Sequence, residues 1–143
     1  MKTVQMVNKS RGTVLGSRIH VAAGWRERLR GYLGRPGPEP GEGLLLAPCR
    51  AVHTFGLGRP LDVVFLDRAG AVVAVYSALR PGRRTAWERQ AMYAVELPPG
   101  SIEATGTRTG DRVAWRPEPH EPGRDRPAPA LSGERSRAEP ARR

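Results

Sequence analysis

The chain has 143 residues, of which 6% are aromatic, and its formal net charge is +10. This length allows one domain with a core built mainly from aliphatic side chains and excludes two domains of ordinary size. The charge alone would favour nucleic acid or an anionic surface as a partner. However, only Lys2 and Lys9 are lysines, and the many arginines, glycines and prolines indicate GC-rich coding rather than a selected basic face.

A single cysteine, Cys49, excludes an internal disulfide and any Cys-x-x-Cys zinc or redox motif. The N-terminal residues lack the apolar run of a signal peptide, and every apolar run is shorter than the ~20 residues that a membrane span requires. We therefore predict a soluble cytoplasmic protein without a membrane span.

The first half of the chain predicts two strands and one helix. Residues 3–7 and 18–22 alternate apolar with polar side chains, which is the period of half-exposed strands. Apolar residues then recur at the spacing of an amphipathic helix over about 25–33, which ends at Gly34 before a proline-rich loop. The helical stripe consists of Trp25, Leu29, Tyr32 and Leu33.

The second half predicts short strands joined by tight turns. They are expected at 43–47, 51–57, 61–66, 71–79, 92–97 and 112–115. The strongest pattern is Leu61–Leu66, which a turn containing Gly70 joins to the next strand as an antiparallel hairpin. Ser101 is expected to cap a single helical turn that ends at Ala104.

These elements predict a mainly β (α+β) domain over residues 1–116. Seven or eight short strands would form a compact bent sheet that closes into a barrel or sandwich, with the helix covering an open end. Residues 117–143 are rich in Pro, Arg, Ala and Glu and almost lack apolar side chains. We therefore expect a disordered C-terminal tail.

Four segments resemble the family catalogued as domain of unknown function 192. They are W-R-E-R-L-R-G-Y-L-G-R from Trp25, P-L-D-V-V-F-L-D from Pro60, A-M-Y-A-V-E-L-P-P-G from Ala91 and T-G-D-R-V from Thr109. The resemblance spans roughly residues 14–115 and implies a compact, mainly β fold in prokaryotic proteins without an established activity. Residues 53–57 (H-T-F-G-L) depart from the commoner W-M-x-N-T version, so no role of that asparagine is carried over.

Asp62 is the principal candidate for a functional residue, because it lies within a run of apolar side chains. A buried carboxylate must find donors, lose its charge or face a cavity. Together with His53, Thr54 and Arg59 it could form a polar pocket, in which it would act as a general acid or base or orient a ligand. The structural alternative, which we favour, is that Asp62 braces the 58–60 loop through backbone N–H bonds.

Cys49 is a weaker candidate. With His53 and Asp62 it could ligate a metal, or it could act as a nucleophile with His53 as its base. Such spacings are usually coincidental, and C-R-A-V-H matches no catalytic signature. We therefore assign no metal and no cofactor.

Arginines on the predicted helix and in the loop over 80–89 could form a phosphate-binding stripe. The sequence has no helix-turn-helix or RNA-module signature, and aromatic residues do not alternate with the arginines, so a solvated basic surface is favoured. Three hypotheses remain. The protein is a binding or accessory module for a small molecule or protein with a pocket near Asp62, an enzyme that uses Asp62 as acid or base, or a nucleic-acid-associated protein.

Overall fold

The computed structural model describes residues 2–118, except for 23, 25–30 and 33. Within this part, seven strands form a single curled sheet, and a short helix packs against it. The strands are β1 (Thr3–Asn8), β2 (Thr13–Val21), β3 (Glu42–Leu46), β4 (Leu61–Leu66), β5 (Val72–Leu79), β6 (Tyr93–Leu97) and β7 (Val113–Pro117), and the helix is α1 (Ser101–Thr105). The mainly β prediction is confirmed.

The strand order is β5-β4-β6-β3-β2-β1-β7. All neighbours are antiparallel except β2 and β3, which run parallel with Arg18 opposite Glu42. A parallel pair needs a crossover connection, and the predicted helix at 25–33 belongs to that connection. This helix lies outside the described residues except for Gly31 and Tyr32, which form a turn.

Every residue of β4 is buried, because β4 has a paired strand on each side and apolar clusters on both faces. Val64 and Leu66 belong to one cluster, and Val63 and Phe65 belong to the other. This explains why Leu61–Leu66 is uniformly apolar apart from Asp62.

The sheet is a curled half-barrel, so the predicted closure into a barrel or sandwich is wrong. Its two edge strands meet only at one corner, where Ala71 and Arg112 form an isolated antiparallel bridge. Beyond that bridge, the N–H of Val113 donates to the carbonyl of Gly70 in the hairpin turn, at 2.9 Å. Because the pairing is antiparallel, β7 continues along the turn while β5 leaves in the other direction. The contact therefore stays confined to the corner.

Two further local predictions are wrong. Residues 51–57 form no regular strand. They pair irregularly with residues 83–85 around an isolated bridge between His53 and Arg84, and a turn at Phe55 and Gly56 ends the pairing. The residue before α1 is Gly100, with a φ of 94° and no side chain to act as a cap, so Ser101 is the first residue of the helix and not its cap.

The hydroxyl of Ser101 instead donates to the carbonyl of Pro98, at 2.7 Å. At the C-terminal boundary, β7 extends to Pro117, one residue into the segment predicted as a tail, and residues 119–143 lie outside the described part. No helix in the described part is long and apolar enough to cross a membrane.

Candidate functional site

Asp62 is fully buried at the second position of β4. Its Oδ1 accepts a hydrogen bond from the N–H of Ala78, at 2.7 Å, and its Oδ2 accepts one from the N–H of Ile102, at 2.8 Å. Ala78 has a positive φ of 49°, at an irregularity in the pairing of β4 with β5. The predictions that Asp62 is buried and bonded to backbone amides are confirmed.

These two bonds connect the start of β4 with the end of β5 and with the first turn of α1. Backbone amides donate to both carboxylate oxygens, so the hydrogen-bonding capacity of this buried side chain is met where water is excluded. The contacts are those of the structural alternative. They differ from the sequence expectation in one respect, because the donors lie on β5 and α1 rather than in the 58–60 loop.

The other residues of the predicted grouping lie elsewhere. His53 is exposed and stacks on Phe55, with ring centroids 5.4 Å apart. Thr54 is buried, and its Oγ1 donates to the carbonyl of Arg80 at 2.6 Å and accepts from the N–H of Arg83 at 2.9 Å. Among the described residues, no hydrogen bond joins Asp62 to His53, Thr54 or Arg59.

Arg59 lines a surface cavity of about 370 Å³. The cavity is walled mainly by prolines and glycines from three loops, which precede β3, precede β4 and follow β6. Because β3 and β4 are both antiparallel to β6, these loops meet at one end of the sheet. The lining residues are Tyr32, Arg35, Pro36, Gly37, Pro38, Glu39, Pro40, Leu57, Gly58, Arg59, Pro60, Leu61, Pro98 and Pro99.

The charged side chains of this proline-walled cavity are Arg35, Arg59 and Glu39, so its lining carries a net positive charge. Within the described part of the chain, neither arginine makes an ion pair. The guanidinium of Arg59 lies beside Gly37, where an added Cβ would be 3.4 Å from an Nη atom. A planar guanidinium with free donors suits a carboxylate or phosphate group.

Sequence reasoning missed Glu96 on β6. Its side chain is 4% exposed, and its Oε1 has no hydrogen-bond partner among the described residues. Burial raises the pKa of Glu96 to about 7, and the backbone N–H of Tyr32 opposes this rise by donating to the carboxylate. The backbone of Gly31 packs on the carboxylate, since a Cβ there would lie 3.0 Å from Oε1.

Glu96 could have been found by the pattern that identified Asp62, an acid among the apolar residues of a predicted strand. Glu96 is an acid between Val95 and Leu97, two apolar residues of a predicted strand. Glu96 pairs with Val63 of β4, so the two side chains lie on the same face of the sheet. Asp62 pairs with Leu97 and lies on the other face. The two buried acids are therefore separated by the sheet.

Cys49 is half-buried, and its thiol donates to the carbonyl of Ala51 at 3.2 Å. In residues 2–118, outside the gaps, no cluster of three or more His, Cys, Asp or Glu side chains could hold a metal ion. This arrangement gives no support to the three-ligand set that Cys49, His53 and Asp62 could have formed.

Comparisons with known proteins agree on the family and the fold. The family model described as uncharacterized ACR, domain of unknown function 192, matches residues 6–115. A UPF0127 protein of Thermococcus sibiricus is 30% identical over 134 residues, covering 89% of this chain and 84% of the relative. A UPF0127 protein of Pyrococcus abyssi is 28% identical over 116 residues, covering 77% of this chain and 96% of the relative.

Among solved structures, a protein of unknown function from Novosphingobium aromaticivorans aligns with a TM-score of 0.67. It is 21% identical, and the alignment covers 79% of this chain and 84% of that one. This similarity supports the fold alone.

Proposed function

This chain belongs to the family catalogued as domain of unknown function 192, and we propose that it is a small binding module that takes an anionic small molecule into the proline-walled cavity. One observation carries the proposal. Arg35 and Arg59 line the same cavity, and neither has an ion-pair partner among the described residues. The match of the family model to residues 6–115 confirms the family resemblance seen in the sequence, whereas the binding role is our inference.

The dimensions and walls of the cavity support a small ligand. A volume of about 370 Å³ lies within the range typical of small-molecule sites. Proline side chains are rigid, so ordering the walls on binding costs little conformational entropy. Tyr32 and Leu57, both half-buried, supply apolar surface for the body of the ligand, while the arginines would pair with its carboxylate or phosphate group.

We assign Asp62 a positioning role in this module. The preceding residue, Leu61, lines the cavity, and so do Pro98 and Pro99, which lead into α1. By bonding to the N–H of Ile102 in α1, Asp62 connects two of the three loops that form the walls. An acid or base role for Asp62 has less support, because backbone amides already occupy both of its oxygens.

The predicted location remains a proposal, whereas the predicted role of two residues lacks support. A cytoplasmic location is supported by the single cysteine, which fits a reducing compartment. The contribution of His53 and Thr54 to ligand binding is not supported at the proline-walled cavity, since neither residue lines it.

A titration with simple anions tests the proposal. Phosphate, pyrophosphate and citrate are added to the full chain, and binding is followed by isothermal titration calorimetry and by the rise in melting temperature. We expect at least one of these anions to bind, and we expect Arg59→Gln and Arg35→Gln each to weaken that binding about tenfold or more, as removal of a charge-assisted pair does.

The matched control is Arg68→Gln, which changes an exposed arginine in the β4–β5 turn, away from the cavity. It should leave anion binding unchanged. Equal weakening by all three substitutions would mean that the anions respond to overall charge, and the proposal would be wrong.

A further inference from the structure

A second surface lies apart from the proline-walled cavity, where residues 50–55 and 80–88 run side by side. The N–H of Thr54 donates to the carbonyl of Arg83 at 2.8 Å, and the N–H of Thr85 donates to the carbonyl of Val52 at 2.9 Å. The N–H of Glu88 donates to the carbonyl of Arg50 at 2.8 Å. These bonds form an irregular antiparallel ladder in which His53 faces Arg84.

The ladder buries Val52, Thr54 and Thr85 and leaves the side chains between them in solvent. We call the exposed set the aromatic–arginine face. It consists of His53, Phe55, Arg80, Arg83, Arg84 and Trp87. None of these residues lines the proline-walled cavity.

The rings of this face are unusually exposed for large side chains. Phe55 is 51% exposed and Trp87 is 66% exposed, and the Phe55 ring stacks on His53 at an angle of 26°. By contrast, Tyr93 and Trp115 pack edge to face, 4.9 Å apart, against the core. Exposed flat rings offer their faces to a partner with a π surface.

The charge around these rings is positive. Residues 50–57 and 80–90 contain five arginines and a single acid, Glu88, whose carboxylate accepts a hydrogen bond from the Tyr76 hydroxyl at 2.7 Å. In the part of the chain that the structure describes, none of these arginines makes an ion pair. The positive charge is therefore available to a polyanion.

We propose that the aromatic–arginine face binds single-stranded nucleic acid. Unpaired bases would stack on the His53–Phe55 pair and on Trp87, and backbone phosphates would pair with Arg80, Arg83 and Arg84. In a duplex the base faces are stacked on one another and are not accessible to the protein rings. An acidic peptide would pair with the arginines but has no bases to stack on the rings. Both the charge and the rings are accounted for by a partner that carries phosphates and accessible bases.

Thr54 prepares this face for binding. Its hydroxyl bonds to the carbonyl of Arg80 and to the N–H of Arg83, and its carbonyl accepts from the N–H of Gly82 at 3.0 Å. The loop that carries the arginines is therefore held in place before any ligand arrives, which lowers the entropy cost of binding. Thr54 is a positioning residue on this surface.

The sequence argued against such a surface because aromatic residues do not alternate with arginines along the chain. The ladder changes that relation, because it places His53 opposite Arg84, a residue 31 positions away. Tertiary pairing therefore brings an exposed ring and an arginine together that are far apart in the sequence.

The experiment measures binding of the full chain to fluorescein-labelled dT12 and U12 by fluorescence anisotropy, at several salt concentrations. We expect binding that weakens with salt. Phe55→Ala and Trp87→Ala should each weaken it about 5- to 150-fold, as loss of a stacked base does. Arg84→Ala should lower the slope of log affinity against log salt by about 0.7.

Two controls separate this face from general effects of charge and exposure. Arg68→Ala removes an exposed arginine outside the face, and Val14→Ala shortens a side chain that is 48% exposed on β2. Arg68→Ala should lower the salt slope by less than Arg84→Ala does, and Val14→Ala should leave the affinity unchanged. Circular dichroism verifies that each variant is folded.

Three results would overturn the proposal. Absence of binding to either oligonucleotide at low salt is the first. Equal affinity of wild type and a Phe55→Ala/Trp87→Ala double variant is the second, since binding would then use charge outside the face. The third is tighter binding of labelled poly-glutamate than of dT12, which would assign the face to an acidic protein partner.

Discussion

The two acids buried in neighbouring interior strands of the sheet, Asp62 and Glu96, lie on opposite faces and differ in their hydrogen bonding. Backbone amides of Ala78 and Ile102 occupy both oxygens of Asp62. Glu96 receives the N–H of Tyr32, and its Oε1 has no partner among the described residues. A buried carboxylate saturated by amides holds elements together, whereas one with an orphan oxygen remains a group that binds a proton near neutral pH.

The surroundings of each acid follow this difference. Asp62 connects β4 to β5 and α1, so its loss would affect the packing of three elements. Glu96 contacts the crossover connection at Gly31 and Tyr32, and Tyr32 lines the proline-walled cavity. A change in the charge of Glu96 would therefore alter the electrostatic potential at Tyr32, on the edge of that cavity.

Asp62→Ala should produce the largest loss of stability. It leaves two backbone donors without an acceptor, at about 1–3 kcal/mol each, so the free energy of unfolding should fall by about 2–6 kcal/mol. Urea unfolding at pH 7 measures this change. Asp62→Asn should lie between wild type and Asp62→Ala, because it keeps one acceptor oxygen and turns an NH2 group toward the second donor. A loss below about 1 kcal/mol for Asp62→Ala would mean that water replaces the carboxylate.

Glu96→Gln should remove a dependence of stability on pH. Folded Glu96 keeps its proton up to about pH 7, whereas the unfolded chain releases it near 4.5. The wild type should therefore lose about 3 kcal/mol of stability as the pH rises from 4.5 to above 7, and the variant should lose little. Unfolding curves at pH 5 and pH 8 give the comparison. The control Glu103→Gln, on the exposed side of α1, should behave as wild type. Parallel pH profiles for Glu96→Gln and wild type would contradict the assignment.

Asp111→Asn should change the behaviour in acid. Arg11, Asn8 and the N–H of Arg108 donate to the Asp111 carboxylate and lower its pKa to about 2. Its stabilising contribution is complete above about pH 4 and is lost as the pH falls toward 2. The variant should already lack this contribution at neutral pH, and its free energy of unfolding should fall less between about pH 4 and pH 2 than that of wild type. An acid-unfolding curve identical in shape to that of wild type would count against the network.

Asp67→Ala should have the smallest effect of the four. Its Oδ1 accepts two hydrogen bonds within the turn, from the N–H groups of Ala69 and Ala71, both at 2.9 Å. The turn is open to water, which replaces these bonds, so the loss should be about 1 kcal/mol. Thermal unfolding beside Asp62→Ala provides the ranking, and a loss equal to that of Asp62→Ala would show that burial does not decide the difference.

Local patterns predicted the β4–β5 hairpin well. Leu61–Leu66 is a strand over the same residues, and Gly70 has a φ of 88° at a position where a Cβ would collide with the carbonyl oxygen of Val113. The prediction at 51–57 failed although Val52 and Thr54 are buried as a strand pattern requires. Alternation reports which side chains face the core, and it does not report whether a partner strand continues alongside.

The candidate site was predicted only in part. Asp62 and Glu96 are acids in apolar strands, so both were visible in the sequence, and only Asp62 was recognised. The proline-walled cavity was not visible, because its walls come from loops before β3, before β4 and after β6. These loops meet only once the sheet order is known.

The sequence by itself determined the strand-rich class, the apolar strand around Asp62 and the hairpin turn, since each follows from side-chain periodicity or from the conformation of a few neighbouring residues. Only the tertiary structure decided what the polar side chains do. It gave Asp62 two amide donors from distant elements, left one oxygen of Glu96 unpaired, placed Arg35 and Arg59 in the lining of one cavity, and set His53 opposite Arg84. Hydrogen bonds and charge pairs require atoms within a few ångströms, and residues far apart in the chain reach that distance only through the register and order of the strands.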